Sequence, residues 1–74
     1  MATQNLDFKG MKCPMPVMKL SLAVKKAAAG DVFIAVSDDA GFEADVQAWC
    51  KETGNELAGL QKAGKDITAT VKKK

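Results

Sequence analysis

Near its start the chain alternates apolar and polar residues in the stretch NLDF. Leu6 and Phe8 alternate with Asn5 and Asp7, and this period of two is typical of a strand with one buried face. Gly10 interrupts the alternation. The pattern therefore predicts a first strand that ends before residue 10.

Residues 14–29 show a different spacing, in which apolar positions recur every three or four residues. This spacing predicts an amphipathic helix from Pro14 to Ala29, with lysines on its polar side. Gly30 is expected to cap its C-terminus, because glycine adopts the left-handed conformation in which many helices end. The predicted apolar face consists of Val17, Leu20, Ser21, Val24 and Ala28.

The stretch DVFIAV predicts a second strand, with apolar residues on both of its faces. Val32, Ile34 and Val36 would lie on one face, and Phe33 and Ala35 on the other. Apolar residues on both faces are typical of a central strand.

The loop SDDAG follows, and its Ser37, Asp38 and Asp39 are candidate turn or cap residues. A second helix is predicted from Phe42 to Thr53, ended by Gly54. Its predicted apolar face consists of Phe42, Val46, Trp49, Cys50 and Thr53.

The stretches ELAGLQ and DITATVK predict an antiparallel hairpin with a turn around Ala63-Gly64. Ile67, Ala69 and Val71 form its clearest apolar row. The predicted order is therefore β-α-β-α-β-β. We expect an α+β fold: a two-layer α/β sandwich in which two helices cover one face of a four-stranded mixed sheet. A right-handed crossover through the first helix would make the first two strands parallel.

Composition narrows the class of protein. The chain has 74 residues, 47% of them hydrophobic, and a net charge of +2, which is typical of a small globular domain. We expect residues 1–74 to form a single domain. The sequence shows neither a membrane-length apolar run nor a signal peptide, so a cytoplasmic location without membrane association is expected. Two cysteines without histidine do not supply a zinc site, and we expect neither a metal nor an organic cofactor.

Cys13 is the candidate reactive group, because it stands directly before Pro14-Met15-Pro16 at the predicted start of a helix. The positive end of the helix dipole and the neighbouring Lys12 would both favour a thiolate there. Such a thiol is a nucleophile without the help of a histidine. The alternative is a small buried residue, which is the usual role of a free cysteine.

Two helix registers are compatible with the prolines. In the favoured register, Cys13 is the N-cap, Pro14 is the first helical residue, and the Met15 amide can approach the sulfur. In the other, the helix starts at Pro16 and Met15 is extended. Cys50 lies on the predicted apolar face of the second helix, so a packing role is favoured for it.

The motif Cys13-Pro14-Met15-Pro16 resembles the CPxP hallmark of the TusA/SirA family of small sulfur-carrier proteins. The stretches LDFKGMKCPMP and GDVFIAVSDDAGFEADVQAWCKETGNEL are similar to the family pattern around and beyond that motif. The resemblance therefore covers nearly the whole chain. The sequence departs from the family pattern at Ala40, where proline is frequent, and at Asn55, where histidine is frequent.

The resemblance implies that Cys13 carries sulfane sulfur as a persulfide, and that Pro14 and Pro16 shape the start of the helix. Lys12 would support the thiolate. Asp45 matches a family position that would organise the second helix or a partner surface, with a solvated helix-face aspartate as the favoured alternative.

The implied partners are proteins: a cysteine desulfurase or a rhodanese-like protein as sulfur donor, and a DsrE/TusD-like protein as acceptor. The family serves transfer RNA thiolation, other sulfur-requiring biosynthesis or sulfur oxidation, and the residues favour none of the three.

Two other function classes stay open. Eleven lysines, three of them at residues 72–74, would suit a nucleic-acid-binding or regulatory module. Direct nucleic-acid binding is not expected, because acidic residues nearly cancel the charge and no arginine is present. A thiol redox sensor using Cys13 and Cys50 is the other alternative, although the chain has no CxxC pair.

Overall fold

The fold follows the predicted order of strands and helices. A computed structural model of the chain describes residues 2–12 and 14–74. Its helices and strands are β1 (Thr3–Asp7), α1 (Met15–Lys25), β2 (Val32–Ser37), α2 (Gly41–Thr53), β3 (Glu56–Ala63) and β4 (Asp66–Lys72). The strands form one sheet in the order β1-β2-β4-β3. β1 is parallel to β2, and the other pairs are antiparallel. The predicted α+β fold with a four-stranded mixed sheet is confirmed.

β2 is a central strand, as its two apolar faces predict. Phe33 and Ala35 are fully buried on one face, whereas Val32, Ile34 and Val36 on the other face are half-buried. The difference arises because the helices pack on only one side of the sheet.

Both helices contribute to a single hydrophobic core. Leu20 and Val24 of α1 belong to the same buried cluster as Phe42, Val46 and Cys50 of α2. The sheet supplies Phe33 and Ala35 from β2 and the predicted row of Ile67, Ala69 and Val71 from β4. Burial of this apolar surface is the main favourable contribution to folding.

The first helix is shorter than predicted. It ends at Lys25, with Lys26 as its C-cap, so the predicted end at Ala29 and the predicted capping role of Gly30 are both wrong. Gly30 instead lies in a turn with φ of 94°, in which the Asp31 amide donates to the Ala28 carbonyl at 3.1 Å. The Asp31 carboxylate accepts the Ala28 amide, and this competing hydrogen bond favours the turn over another helical turn.

The second helix ends where predicted. Gly54 adopts a left-handed conformation, and its amide donates to the Cys50 carbonyl at 2.9 Å. Thr53, expected on the apolar face, is exposed, and its hydroxyl donates to the Trp49 carbonyl. The hairpin turn occupies residues 64–65, one position later than predicted, because Ala63 still pairs with Asp66.

Within residues 2–12 and 14–74, no helix is long and apolar enough to cross a membrane.

Candidate functional site

Cys13, the predicted reactive residue, lies outside the described residues. The described residues next to it in the chain are Lys12 and Pro14.

The site lies at the edge of the sheet where the parallel strands end. Because β1 and β2 run in the same direction, the loops that follow them meet at this edge. The Phe8 amide donates to the Val36 carbonyl at 2.8 Å. Two positions later, the Gly10 amide donates to the Asp38 carboxylate at 3.0 Å. These bonds fix the loop that leads from β1 towards Cys13.

This loop begins with a tight turn over residues 8–11. The Met11 amide donates to the Phe8 carbonyl at 3.1 Å, and Gly10 has a φ of 87°. No described non-glycine residue has a positive φ, so Lys9 lies in the ordinary region and the turn is type II. The third position of such a turn requires a positive φ, which explains the glycine.

The start of α1 lies between the two predicted registers. Pro14 is the N-cap, Met15 is the first helical residue and Pro16 is the second. The favoured prediction, with Cys13 as N-cap, is therefore wrong by one residue, and a start at Pro16 is also wrong. The reason is that the Pro14 carbonyl accepts the first helical hydrogen bond, from the Met18 amide at 3.1 Å.

The backbone donors at this helix start are few. Pro14 and Pro16 have no N–H group, which leaves the amides of Met15 and Val17 in the first turn. The Met15 amide donates to the Lys12 carbonyl at 2.9 Å. The Cys13 sulfur that this amide is predicted to approach lies outside the described residues, and the described partner of the amide is the Lys12 carbonyl. Pro16 is fully buried and anchors the turn against the core.

Two surface depressions are lined by residues that stand directly before and after Cys13 in the sequence. Lys12 lines the first, of about 560 Å³, together with Gly10, Met11, Asp38, Asp39 and Lys65. Pro14 lines the second, of about 230 Å³, together with Val17, Asp45, Ala48, Trp49 and Glu52. The structure thus brings the predicted support residue Asp45 into the same depression as Pro14, whereas Lys12 lines the other depression.

Asp38 is the residue whose role the sequence did not reveal. Turn or cap roles were predicted for Ser37, Asp38 and Asp39 alike. Ser37 Oγ accepts the Asp39 amide and Asp39 Oδ1 accepts the Gly41 amide, as expected of a turn before a helix. Asp38 bonds a different loop instead. The available signal was its position directly after a strand that runs parallel to β1.

The second cysteine has a packing role, as predicted. Cys50 is a free thiol that is 5% exposed, within the core cluster. Burial raises the pKa of the Cys50 thiol, because an apolar surrounding disfavours the thiolate.

Comparison with known proteins agrees with this fold and motif. The family model described as sulfurtransferase TusA matches residues 4–73. A protein of Aquifex aeolicus is 37% identical over 95% of this chain, and the YrkF protein of Bacillus subtilis is 39% identical over 97% of it. The chain spans only 36% and 39% of the length of these two relatives.

Two further relatives are matched over almost their full lengths. The sulfur carrier protein TusA of Allochromatium vinosum is 31% identical, over 95% of this chain and 92% of its own length. The crystal structure of a SirA-like protein from Desulfitobacterium hafniense has a TM-score of 0.78 and 26% identity, over 97% of this chain and 96% of that one. The chain belongs to the TusA family.

Proposed function

We propose that this chain is a sulfur carrier in which Cys13 holds sulfane sulfur as a persulfide and passes it to the next protein of a relay. The observation that carries the proposal is the family match over residues 4–73, which includes Cys13 and both motif prolines. The relatives from Allochromatium vinosum and Pseudomonas entomophila are named sulfur carrier protein TusA.

The surroundings of the motif support this chemistry. Cys13 immediately precedes the N-cap of α1, whose dipole places positive potential at that end of the helix. Lys12 adds a positive charge one residue away, and both influences favour a thiolate. The two depressions beside the motif leave space for a partner to approach.

The transfer is a thiol exchange at sulfane sulfur. The Cys13 thiolate attacks the outer sulfur of a donor persulfide, a new S–S bond forms on Cys13, and the donor's own S–S bond breaks. The donor leaves as a thiolate, so the step needs no external oxidant or reductant. Handover to the acceptor repeats the exchange, with the acceptor thiolate attacking the outer sulfur on Cys13.

The partners follow from this exchange, since each step needs a second protein thiol. We assign the donor role to a cysteine desulfurase or a rhodanese-like protein, and the acceptor role to a DsrE/TusD-like protein. The relay would operate in the cytoplasm, where thiols stay reduced.

The alternatives draw less support from the described residues. Base stacking requires exposed aromatic rings, but Phe8, Phe33 and Phe42 are buried, and Trp49 is partly buried where it packs against the core. A redox pair between the two cysteines requires an accessible second thiol, but Cys50 lies in the core.

The test is intact-mass analysis after exposure to a low-molecular-weight persulfide. The wild-type chain is expected to gain the mass of one sulfur atom, and a reductant should remove it. Cys13→Ser should abolish the gain, whereas Cys50→Ser is the matched control and should retain it. Loading of Cys13→Ser equal to that of the wild type would refute the proposal.

A further inference from the structure

We propose that Asp38 is a positioning residue that sets the conformation of the loop leading into Cys13; the inference rests on the proposed role of that cysteine. Asp38 directly follows β2, and its Oδ1 accepts the Gly10 amide at 3.0 Å. The bond spans 28 positions of the chain and joins the loop after β1 to the loop after β2.

The bonded amide belongs to the central peptide of the type II turn over residues 8–11. Rotation of this peptide by about 180° would convert the turn to type I and direct the Gly10 N–H the other way. The neighbouring amides bond within the same segment, Lys9 to Asp7 Oδ1 at 3.0 Å and Met11 to the Phe8 carbonyl at 3.1 Å. Asp38 therefore stabilises the type II form from outside the loop.

The orientation of the turn is transmitted towards the start of α1. Met11 leaves the turn, and the Lys12 carbonyl that follows accepts the Met15 amide at 2.9 Å. Lys12 and Asp38 also line the same depression. A change in the turn therefore alters the direction in which the chain approaches Cys13 and the N-cap of α1.

If Asp38 positions the loop, its removal should change the reaction rate of the Cys13 thiol in the opposite direction from the change expected if Asp38 acts only through its charge. A nearby carboxylate acting only through its charge would disfavour the thiolate, so its removal would speed reactions of Cys13. A carboxylate that holds the loop before the positive end of α1 would favour the thiolate, so its removal would slow them. The sign of the change separates the two.

The experiment measures alkylation of the full chain by iodoacetamide between pH 5 and 10, with the adduct on each cysteine quantified by peptide mass spectrometry. Asp38→Ala should slow Cys13 alkylation at neutral pH by about tenfold, the size expected for loss of one hydrogen bond that holds the turn, and raise the midpoint of its pH dependence. Asp38→Asn is the matched control: it removes the charge but keeps an acceptor oxygen, and should react within about twofold of the wild type.

A second variant, Gly10→Ala, changes the turn while leaving the Asp38 carboxylate in place. Alanine at position 10 meets no neighbouring atom within 4 Å, but it is strained at a φ of +87°. Gly10→Ala should therefore favour the type I turn and reproduce the slow reaction of Asp38→Ala. The double variant should be no slower than either single variant, because both changes act on one turn.

Three results would overturn the proposal: unchanged or faster Cys13 alkylation in Asp38→Ala, an Asp38→Asn variant as slow as Asp38→Ala, or a parallel rise in Cys50 alkylation that reveals general opening. The assay contains no sulfur donor. Failure of the wild type to load sulfur would therefore refute the proposed function while leaving this result standing.

Discussion

Cys50 lies on the core side of α2, one turn beyond Val46, and its carbonyl accepts the amide of the C-cap Gly54. Its thiol is surrounded by apolar side chains, which raises its pKa. Because the folded state favours the neutral thiol, its contribution to stability is present at neutral pH and is lost as the pH rises through the raised pKa.

We expect the two cysteines to differ sharply in reactivity. At neutral pH, iodoacetamide should modify the native chain at Cys13 alone, because Cys50 is both buried and protonated. Addition of urea should make both cysteines reactive. Mass spectrometry of native and unfolded samples checks this, and Cys50→Ser should leave native labelling unchanged. Equal native labelling of both cysteines would contradict the assignment of Cys50 to the core.

The residue-level chemistry was only partly accessible from the sequence. The apolar neighbours of Cys50 along the helix sufficed to predict its burial. The bond from Gly10 to Asp38 could not be predicted, because it depends on which loops the parallel pairing of β1 and β2 brings together.

At the level of the secondary structure, α1 presents two kinds of apolar residue. Leu20 is fully buried against the sheet and α2. Leu22, two positions later, is 56% exposed on the opposite side, as are Met15 and Met18 to a similar degree. The helical period therefore determines which of two chemically identical leucines stabilises the fold.

Leu20→Ala should lower the free energy of unfolding by about 2–5 kcal/mol, because it removes buried methyl groups and leaves a cavity. Leu22→Ala is the matched control in the same helix and should change it by no more than about 0.5 kcal/mol. Urea unfolding followed by circular dichroism measures both. Equal losses for the two variants would show that the helix is rotated from the orientation described.

The ends of α1 show the limit of periodicity as a predictor. Apolar spacing and a run of alanines extend to residue 29, and alanine has the highest helix propensity. The helix nevertheless ends at Lys25, because tertiary partners compete for the following backbone. Lys73 Nζ donates to the Ala27 carbonyl at 2.6 Å. The two residues are 46 positions apart, so the apolar spacing of residues 14–29 cannot predict this hydrogen bond.

Asp31 forms hydrogen bonds with residues near both ends of the described chain. Its Oδ1 accepts the Ala2 amide at 3.0 Å and its Oδ2 accepts the Ala28 amide at 3.1 Å. Its backbone bonds Lys73, whose amide donates to the Asp31 carbonyl at 2.9 Å. The amide bonds, from Ala2 first and Ala28 second, lower the pKa of the Asp31 carboxyl.

This arrangement predicts a pH-dependent contribution to stability. Because the folded pKa is lowered, the contribution is complete above the unfolded carboxyl value of about 3.9 and is lost as the pH falls through the folded value. Asp31→Asn should lower the urea midpoint at pH 7, and its difference from the wild type should shrink below about pH 4.

Glu56→Gln, at an exposed position, is the control for this series and should show no such convergence with the wild type. A difference between Asp31→Asn and the wild type that stays constant from pH 7 to pH 3 would contradict the assigned role of the carboxylate.

The contacts of Asp31 also determine how the domain can be joined to others. Ala2 and Lys73 both bond Asp31 at the end of β2 marked by Val32, whereas the loop before Cys13 lies at the end marked by Val36 and Ser37. At about 3.3 Å per residue, the two ends of this strand are roughly 16 Å apart. Fusion of further polypeptide at either terminus, or circular permutation through a linker between Ala2 and Lys73, would therefore leave the end of the sheet that carries Gly10 and Asp38 uncovered. The fold is thus a module that longer chains can contain without obstructing the edge where the loops after β1 and β2 meet.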